Sequence, residues 1–81
     1  MYKNKAADGK LNLCGPNVCR LRRAVTPRLS QRGLADKLQL AGLDLDKNAI
    51  QRIEAGKRFV TDLELKALSA FFGVTADELL K

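Results

Sequence analysis

The sequence predicts an all-α fold, a compact bundle of five short helices with no sheet. Apolar residues recur every three or four positions, as they do on the buried face of a helix. Most of these stretches begin after a residue that caps helix N-termini and end at glycine or proline. With 81 residues, the chain forms one domain, which buries only about 60% of the surface that its unfolded state exposes. Its core therefore has to be efficient.

The boundaries of the first two helices follow from proline, serine and glycine. We expect the first helix to start around Pro16, since proline at the first turn loses no hydrogen bond. It ends before Pro27, because proline disfavours helical geometry in the preceding residue. Ser30 is the expected N-cap of the second helix, which closes at Gly42. The predicted inward-facing residues are Val18, Leu21, Val25, Leu34, Ala35, Leu38, Leu43 and Leu45.

The remaining three helices are marked by caps at both ends. Asp46 caps a short third helix, and Gly56 ends it at a position that usually needs a left-handed residue. Two capping boxes, in which the cap and the third residue of the helix bond reciprocally, open the fourth and fifth helices. These boxes are Thr61 to Glu64 and Thr75 to Glu78. Gly73 closes the fourth helix.

The composition, 46% hydrophobic and 30% charged, fits a folded domain and argues against catalysis. The chain has no histidine, the commonest general base and metal ligand, so we expect no enzyme activity, metal or cofactor. No apolar run approaches the roughly 20 residues that span a membrane. The basic segment 1–10 is not a secretory signal, so we expect a cytoplasmic protein. Cys14 and Cys19 are then free thiols that serve as small packing residues.

The charge is uneven along the chain. Residues 1–29 carry a net charge of +6, residues 30–60 carry +2 and residues 61–81 carry −2. A polyanion would therefore meet the first two thirds of the chain. Charge runs are usually solvated surfaces, so this signal alone is weak.

The third helix separates an apolar face from a hydrogen-bonding face. Ile50 and Ile53 share one side at helical spacing and are expected to face the core. The opposite side presents Lys47, Asn48, Gln51 and Arg52. Asparagine and glutamine pair with adenine edges, and arginine and lysine pair with guanine edges. An ordinary solvent-exposed face has the same composition, and the helix alone does not decide between the two interpretations.

The order of elements decides it. The matching segments are Ser30-Gln31, Leu34-Ala35-Asp36-Lys37-Leu38, Ile50-Gln51-Arg52-Ile53-Glu54-Ala55-Gly56-Lys57-Arg58, Leu65, Leu68, Phe72-Gly73-Val74 and Glu78-Leu79-Leu80. Over roughly residues 15–80, this pattern resembles the XRE family of bacterial and phage transcriptional regulators, which includes lambda-type repressors and Cro. The resemblance implies a five-helix, lambda repressor-like domain whose second and third helices form the helix-turn-helix.

The resemblance also implies roles for individual residues. Lys47, Asn48 and Arg52 match positions that touch bases, and Gln51 lies beside them. Gln31, Lys57 and Arg58 match positions that contact the DNA backbone. Glu54 matches a carboxylate that pairs with an arginine of the first helix, and Arg22 is the arginine available here. The alternative for Arg22 and Glu54 is an unimportant surface pair worth roughly 0–1 kcal/mol.

Two features of the sequence differ from the shortest family members, a longer turn and an N-terminal arm. The segment between Leu38 and Ile50 is longer, so Ile50 and Ile53 fix the register of Gln51 and Arg52 on DNA more directly than that of Lys47 and Asn48. We expect residues 1–12 to form a flexible basic arm ahead of a domain at 13–81. The lysines of this arm either reach the duplex or only keep the protein soluble; they are Lys3, Lys5 and Lys10.

The fourth helix carries a second apolar stripe, formed by Leu63, Ala67, Ala70 and Phe71. Either both sides of this helix are covered, or the stripe is a homodimer interface or binds another protein. The favoured function is a sequence-specific regulator of transcription, a repressor, that binds double-stranded DNA. The alternative is an antitoxin-like or adaptor protein whose main partner is a protein and whose DNA binding serves autoregulation.

Overall fold

A computed structural model describes residues 8–81 and contains five α-helices in this part of the chain. The helices are α1 (Gly15–Ala24), α2 (Gln31–Leu40), α3 (Lys47–Glu54), α4 (Asp62–Phe72) and α5 (Ala76–Leu79). The described residues contain no strand, and the predicted all-α fold with five helices is confirmed. The longest helix, α4, has 11 residues, and none of the five is long and apolar enough to cross a membrane.

The helix-turn-helix begins at two side-chain caps that the sequence predicted. Ser30 Oγ accepts a hydrogen bond from Gly33 N at 2.9 Å, at the start of α2. Asp46 Oδ1 accepts one from Ala49 N at 2.7 Å, at the start of α3. Both caps have extended backbone geometry, as N-caps require. These two bonds satisfy amide groups that have no partner within their own helices.

The two predicted capping boxes differ in the structure. Glu64 N donates to Thr61 Oγ1 at 3.2 Å and Thr61 N donates to Glu64 Oε1 at 3.0 Å, so the box that opens α4 is complete. At α5, Glu78 N donates to Thr75 Oγ1 at 3.1 Å. The reverse bond to the Glu78 side chain is not formed within residues 8–81. The second box is therefore only half made, on a helix of four residues.

The core draws on all five helices. Its largest fully buried side chains are Cys14, Val18, Leu34, Leu38, Ile50, Ile53, Leu68 and Leu79. Each buried leucine or isoleucine contributes roughly 1.5–3 kcal/mol relative to an exposed one. Burial also raises the pKa of the Cys14 thiol, which agrees with its interpretation as a packing residue.

The long connection between α2 and α3 is itself packed. Leu45 is only 3% exposed, and the partly buried Leu43 packs against the core, so both leucines turn inward as predicted. The Gln39 side chain donates to Leu45 O at 3.1 Å. Gly42 takes a φ of +93°, a left-handed conformation that favours glycine. The extra residues of this turn therefore fix the start of α3.

Part of the segment ahead of α1 contacts the end of α3. Leu11 N donates to Gly56 O at 2.9 Å, and the Asn12 side chain bonds backbone beyond α3. Leu11 and Asn12, which belong to the predicted arm, therefore contact the helix-turn-helix, and the division at residues 12 and 13 stays a prediction. The contacts responsible lie more than 40 residues away along the chain, which no local pattern indicates. Lys3 and Lys5 lie outside the described residues.

Candidate nucleic-acid interface

Helix α3 has one buried face and one exposed face. Ala49, Ile50 and Ile53 are buried in the core. All four of the predicted base-reading residues are exposed; they are Lys47, Asn48, Gln51 and Arg52. The predicted division of the helix is therefore present in the structure, with hydrogen-bonding groups on the outer side only. A helix of this kind fits the roughly 12 Å wide major groove of B-DNA.

A buried ion pair anchors the inner side of α3 to the rest of the helix-turn-helix. Arg22 Nε donates to Glu54 Oε2 at 2.7 Å, and Arg22 Nη2 donates to Glu54 Oε1 at 3.0 Å. Gln31 Nε2 donates to the same Glu54 Oε1 at 2.9 Å, and Arg22 Nη1 donates to Leu29 O at 3.0 Å. One carboxylate therefore joins α1, the start of α2 and the end of α3.

Electrostatics favour the charged form of this carboxylate. Burial raises the pKa of Glu54, but the hydrogen bonds from Arg22 and Gln31 and the charge of Arg22 outweigh it and leave the pKa below its ordinary value. The Gln31 amide uses one of its two protons on Glu54 and keeps a second donor. The Arg22 and Glu54 side chains are only 8% and 6% exposed, so this is a buried pair and not a surface one.

A second ion pair holds the turn that follows α3. Arg58 Nη1 donates to Glu64 Oε1 at 2.8 Å, and Arg58 Nη2 donates to Glu64 Oε2 at 2.9 Å. The hydrogen bond from Arg58 lowers the pKa of Glu64, with further help from the Thr61 amide. Arg58 is thus largely engaged within the protein. Its neighbour Lys57 is exposed, and its backbone N donates to Arg52 O at 2.9 Å.

A cationic groove beside the start of α2 extends the exposed face of α3. It is an open cavity of about 500 Å³. The groove is lined by Arg22, Arg23, Arg28, Ser30, Gln31, Arg32 and Lys47. Arg23, Arg28 and Arg32 are exposed, and the amides at the N-terminus of α2 add positive potential. Phosphate groups are the natural ligands of such a surface.

The sequence analysis missed the arginines of this groove. Arg28 and Arg32 flank the Ser30 cap, and this placement beside a helix N-terminus was a signal in the sequence. Their approach to Lys47, however, depends on the packing of α3 against α2. Within residues 8–81 there is no cluster of three or more metal-ligating side chains.

This geometry is that of a DNA-binding helix-turn-helix domain, in which the buried face of α2 supports α3, and α3 has a polar, cationic outer face. A profile of the helix-turn-helix family matches residues 22–79, which is well over half of the chain. The chain belongs to this family, of the XRE and lambda repressor type, whose members are DNA-binding regulators of transcription. No curated protein and no solved structure matches it.

The extent of the match separates two parts of the molecule. It contains the whole helix-turn-helix and both ion pairs, from Arg22 to beyond Glu64. It begins at Arg22, whereas the resemblance in the sequence began near residue 15. The segment ahead of α1, with its contacts to the end of α3, therefore lies outside the family pattern.

Proposed function

We propose that the protein is a sequence-specific repressor that binds double-stranded DNA and reads the major groove with α3. The observation that supports this most is the division of α3. Ile50 and Ile53 are fully buried, while the hydrogen-bonding side chains of the helix are exposed; these are Lys47, Asn48, Gln51 and Arg52. Repression needs no activity besides DNA binding, since a protein bound over a promoter excludes other proteins from that duplex. DNA binding needs no cofactor or catalytic group, and a regulator of bacterial or phage DNA acts in the cytoplasm.

The four exposed side chains of α3 divide by chemistry. Arg52 and Lys47 offer donors that suit the O6 and N7 atoms of guanine, and Asn48 and Gln51 suit the N6 and N7 edge of adenine. Each good bidentate contact contributes about 1–3 kcal/mol of discrimination against the wrong base. Gln51 and Arg52 lie between the buried Ile50 and Ile53 along the helix, and so their positions follow directly from the core.

Contacts to the sugar-phosphate backbone complete the interface. Lys57 is exposed beyond the end of α3, and Gln31 keeps one free amide proton at the start of α2. Arg58 shares its guanidinium with Glu64 and is expected to contribute less to phosphate binding. The groove arginines Arg28 and Arg32 add charge near the start of α3, where Lys47 lines the same groove. These contacts position the protein without reading sequence.

The experiment that tests the proposal is selection of bound duplexes from a random pool at two salt concentrations. We expect an enriched motif in wild-type protein at both. Arg52→Ala is expected to lose preference at one position of that motif, whereas Lys57→Ala weakens binding to all sequences about equally. An absence of enrichment, with binding that only falls steeply with salt, would overturn sequence-specific recognition.

We propose in addition that two copies bind one operator through the apolar stripe of α4. Leu63 is 72% exposed, Ala70 is exposed, and Ala67 and Phe71 are half-buried. The sequence left open whether this side of α4 is covered, and within residues 8–81 it is not covered at Leu63. A dimer gains affinity by reading two half-sites about 34–36 Å apart.

Sedimentation of the wild type and of Leu63→Glu, with and without a palindromic duplex, tests the dimer. Wild-type protein is expected to bind the palindrome as two copies, and Leu63→Glu to bind only half-sites. A concentration-independent monomer on and off DNA would overturn the dimer. Exposed Leu63 also favours the second candidate function, an antitoxin-like or adaptor protein, and a stable complex with one co-purified protein through this face, rather than self-association, would support it.

A further inference from the structure

The last turn of α3 is held by a residue that precedes α1. The Asn12 amide donates to Ile53 O at 3.1 Å and to Arg58 O at 2.8 Å. Asn12 Oδ1 accepts a hydrogen bond from Gly15 N at 2.8 Å. One side chain therefore joins the start of α1, the end of the DNA-reading helix and the turn beyond that helix.

Two neighbours of Asn12 extend this connection. Leu11 N donates to Gly56 O at 2.9 Å, and Lys10 Nζ donates to Ala55 O at 3.3 Å. The last four carbonyl groups of a helix have no partner within the helix. Residues 10–12 thus supply partners for carbonyls at and just after the end of α3, and we call them the strap.

The strap depends on a close approach between two backbones. A Cβ atom on Gly15 would lie 2.3 Å from Ile53 O, a distance that real Cβ atoms do not adopt. Only glycine lets the first residue of α1 sit against the end of α3 at this distance. The contact is therefore specified by the residue types at both positions 12 and 15, which lie ahead of the residues that the family profile matches.

We infer that Asn12 is a positioning residue for DNA recognition: it fixes the end of α3 and the turn that carries Lys57, and so sets the orientation in which Arg52 meets base edges. This inference rests on the proposed function, because it assumes that α3 reads bases. Asn12 itself is half-buried and bonded on three sides within the protein. Base-edge hydrogen bonds weaken steeply when their angle or distance is wrong, so a loosened helix end costs affinity for the correct sequence more than affinity for any duplex.

Asn17 provides a matched control. Its amide donates to Leu79 O at 2.8 Å and to Lys81 O at 3.2 Å, at the end of α5. It is half-buried like Asn12. Asn17 Oδ1 also accepts a hydrogen bond, from Arg20 Nη2 at 3.3 Å. Asn17→Ala therefore removes two donated bonds to backbone carbonyls and one accepted bond, as Asn12→Ala does, at a helix that does not face the proposed DNA.

The test compares Asn12→Ala and Asn17→Ala in the full chain, well below both melting temperatures. Binding is measured to the duplex that wild-type protein selects and to a scrambled duplex. For Asn12→Ala we expect about a tenfold loss on the selected duplex and less than a twofold loss on the scrambled one. Asn17→Ala is expected to change neither by more than about twofold. Equal losses on both duplexes, or equal losses in the two variants, would overturn the inference.

Amide hydrogen exchange without DNA separates this inference from the proposed function. We expect exchange at Ala55, Gly56 and Lys57 to become about tenfold faster in Asn12→Ala and to stay unchanged in Asn17→Ala. Unchanged exchange in Asn12→Ala would overturn the inference even if the protein binds a specific operator. If the wild type selects no duplex, the proposed function fails and the positioning role of Asn12 in DNA recognition fails with it, whereas the exchange result still shows whether the strap holds α3.

If Asn12→Ala does not fold, Asn12→Asp replaces it, with Asn17→Asp as its control. The aspartate keeps the acceptor for Gly15 N and replaces the two donors by an oxygen that repels the carbonyl oxygens of Ile53 and Arg58. Asn17→Asp does the same to the carbonyls that Asn17 bonds, and both variants lower the net charge by one, so a difference between them does not come from the net charge of the protein. The same expected and contradicting results apply.

Discussion

The two ion pairs that flank the end of α3 have the same chemistry and different settings. In both, a guanidinium donates two hydrogen bonds to one glutamate. Arg22 and Glu54 lie 32 residues apart and are 8% and 6% exposed, whereas Arg58 and Glu64 lie six residues apart and are 27% and 11% exposed. The first pair joins three helices in the core, and the second fixes one turn. Position in the fold, rather than bond geometry, therefore decides what each pair does.

Removing one partner of the buried pair should have the largest effect. Arg22→Ala leaves Glu54 charged and buried, which costs about 3–5 kcal/mol. Chains of this length have roughly 4–12 kcal/mol of stability in total, so a large share would be lost. Urea unfolding at pH 7 measures the effect. The double variant Arg22→Met with Glu54→Leu is expected to recover much of the loss, because it removes both charges together. If Arg22→Ala cost less than about 1 kcal/mol, the pair would be no stronger than a surface one.

The second pair is expected to matter less and for a local reason. Glu64→Ala removes the bonds to Arg58 and to the Thr61 amide, and we expect a loss of about 1–2 kcal/mol. Glu78→Ala is the matched control, since Glu78 holds the same position in α5 but does not complete its capping box. It should cost less than about 0.5 kcal/mol. Thermal unfolding of both variants measures the difference, and equal losses would show that the complete box contributes nothing.

The helices and their caps could be predicted because their signals are local. Ser30, Asp46 and Thr61 each bond an amide three residues ahead, within the span that a sequence pattern records. The exposed face of α3 followed in the same way from the spacing of Ile50 and Ile53. One local prediction was wrong, the reciprocal hydrogen bond of the Glu78 side chain. The sequence motif is present, but this side-chain bond is not formed within the described residues.

The rest of the interface depends on contacts between distant parts of the chain. Asn12 meets carbonyls 41 and 46 residues away, and nothing near it in the sequence indicates a partner. Arg28 and Arg32 line a groove with Lys47 only after α2 and α3 have packed. The Arg22 and Glu54 positions were found from the family resemblance, although their burial depends on the packing of three helices.

The pH dependence of stability should separate the two pairs. The pKa values of Glu54 and Glu64 are both below the ordinary 4.5 in the folded protein. A lowered pKa stabilises the fold above 4.5, and this stabilisation is lost as the pH falls through the lowered values. Stability is therefore expected to decline on acidification below about pH 5.

Urea unfolding of Glu54→Gln and Glu64→Gln between pH 7 and pH 3 assigns the decline. Each variant should be less stable than wild type at pH 7 and should approach it as the pH falls. We expect the larger convergence for Glu54, whose partner Arg22 is the more deeply buried of the two arginines. If neither variant reduced the decline in stability at low pH, other carboxylates would be responsible for that decline.

The smallest expected effect concerns how far the Glu64 pair withdraws Arg58 from DNA. Lys57→Ala should reduce the slope of log affinity against log salt by about 1, because Lys57 is exposed and the proposed phosphate contact would be made by its charge alone. Arg58→Ala should reduce it by less, since its charge is already shared with Glu64 at 2.8 and 2.9 Å. Binding to a random duplex over a range of salt concentrations measures both slopes. Equal reductions would mean that Arg58 leaves Glu64 to bind phosphate. The second pair would then open when the protein binds DNA and would not be a fixed support of the turn.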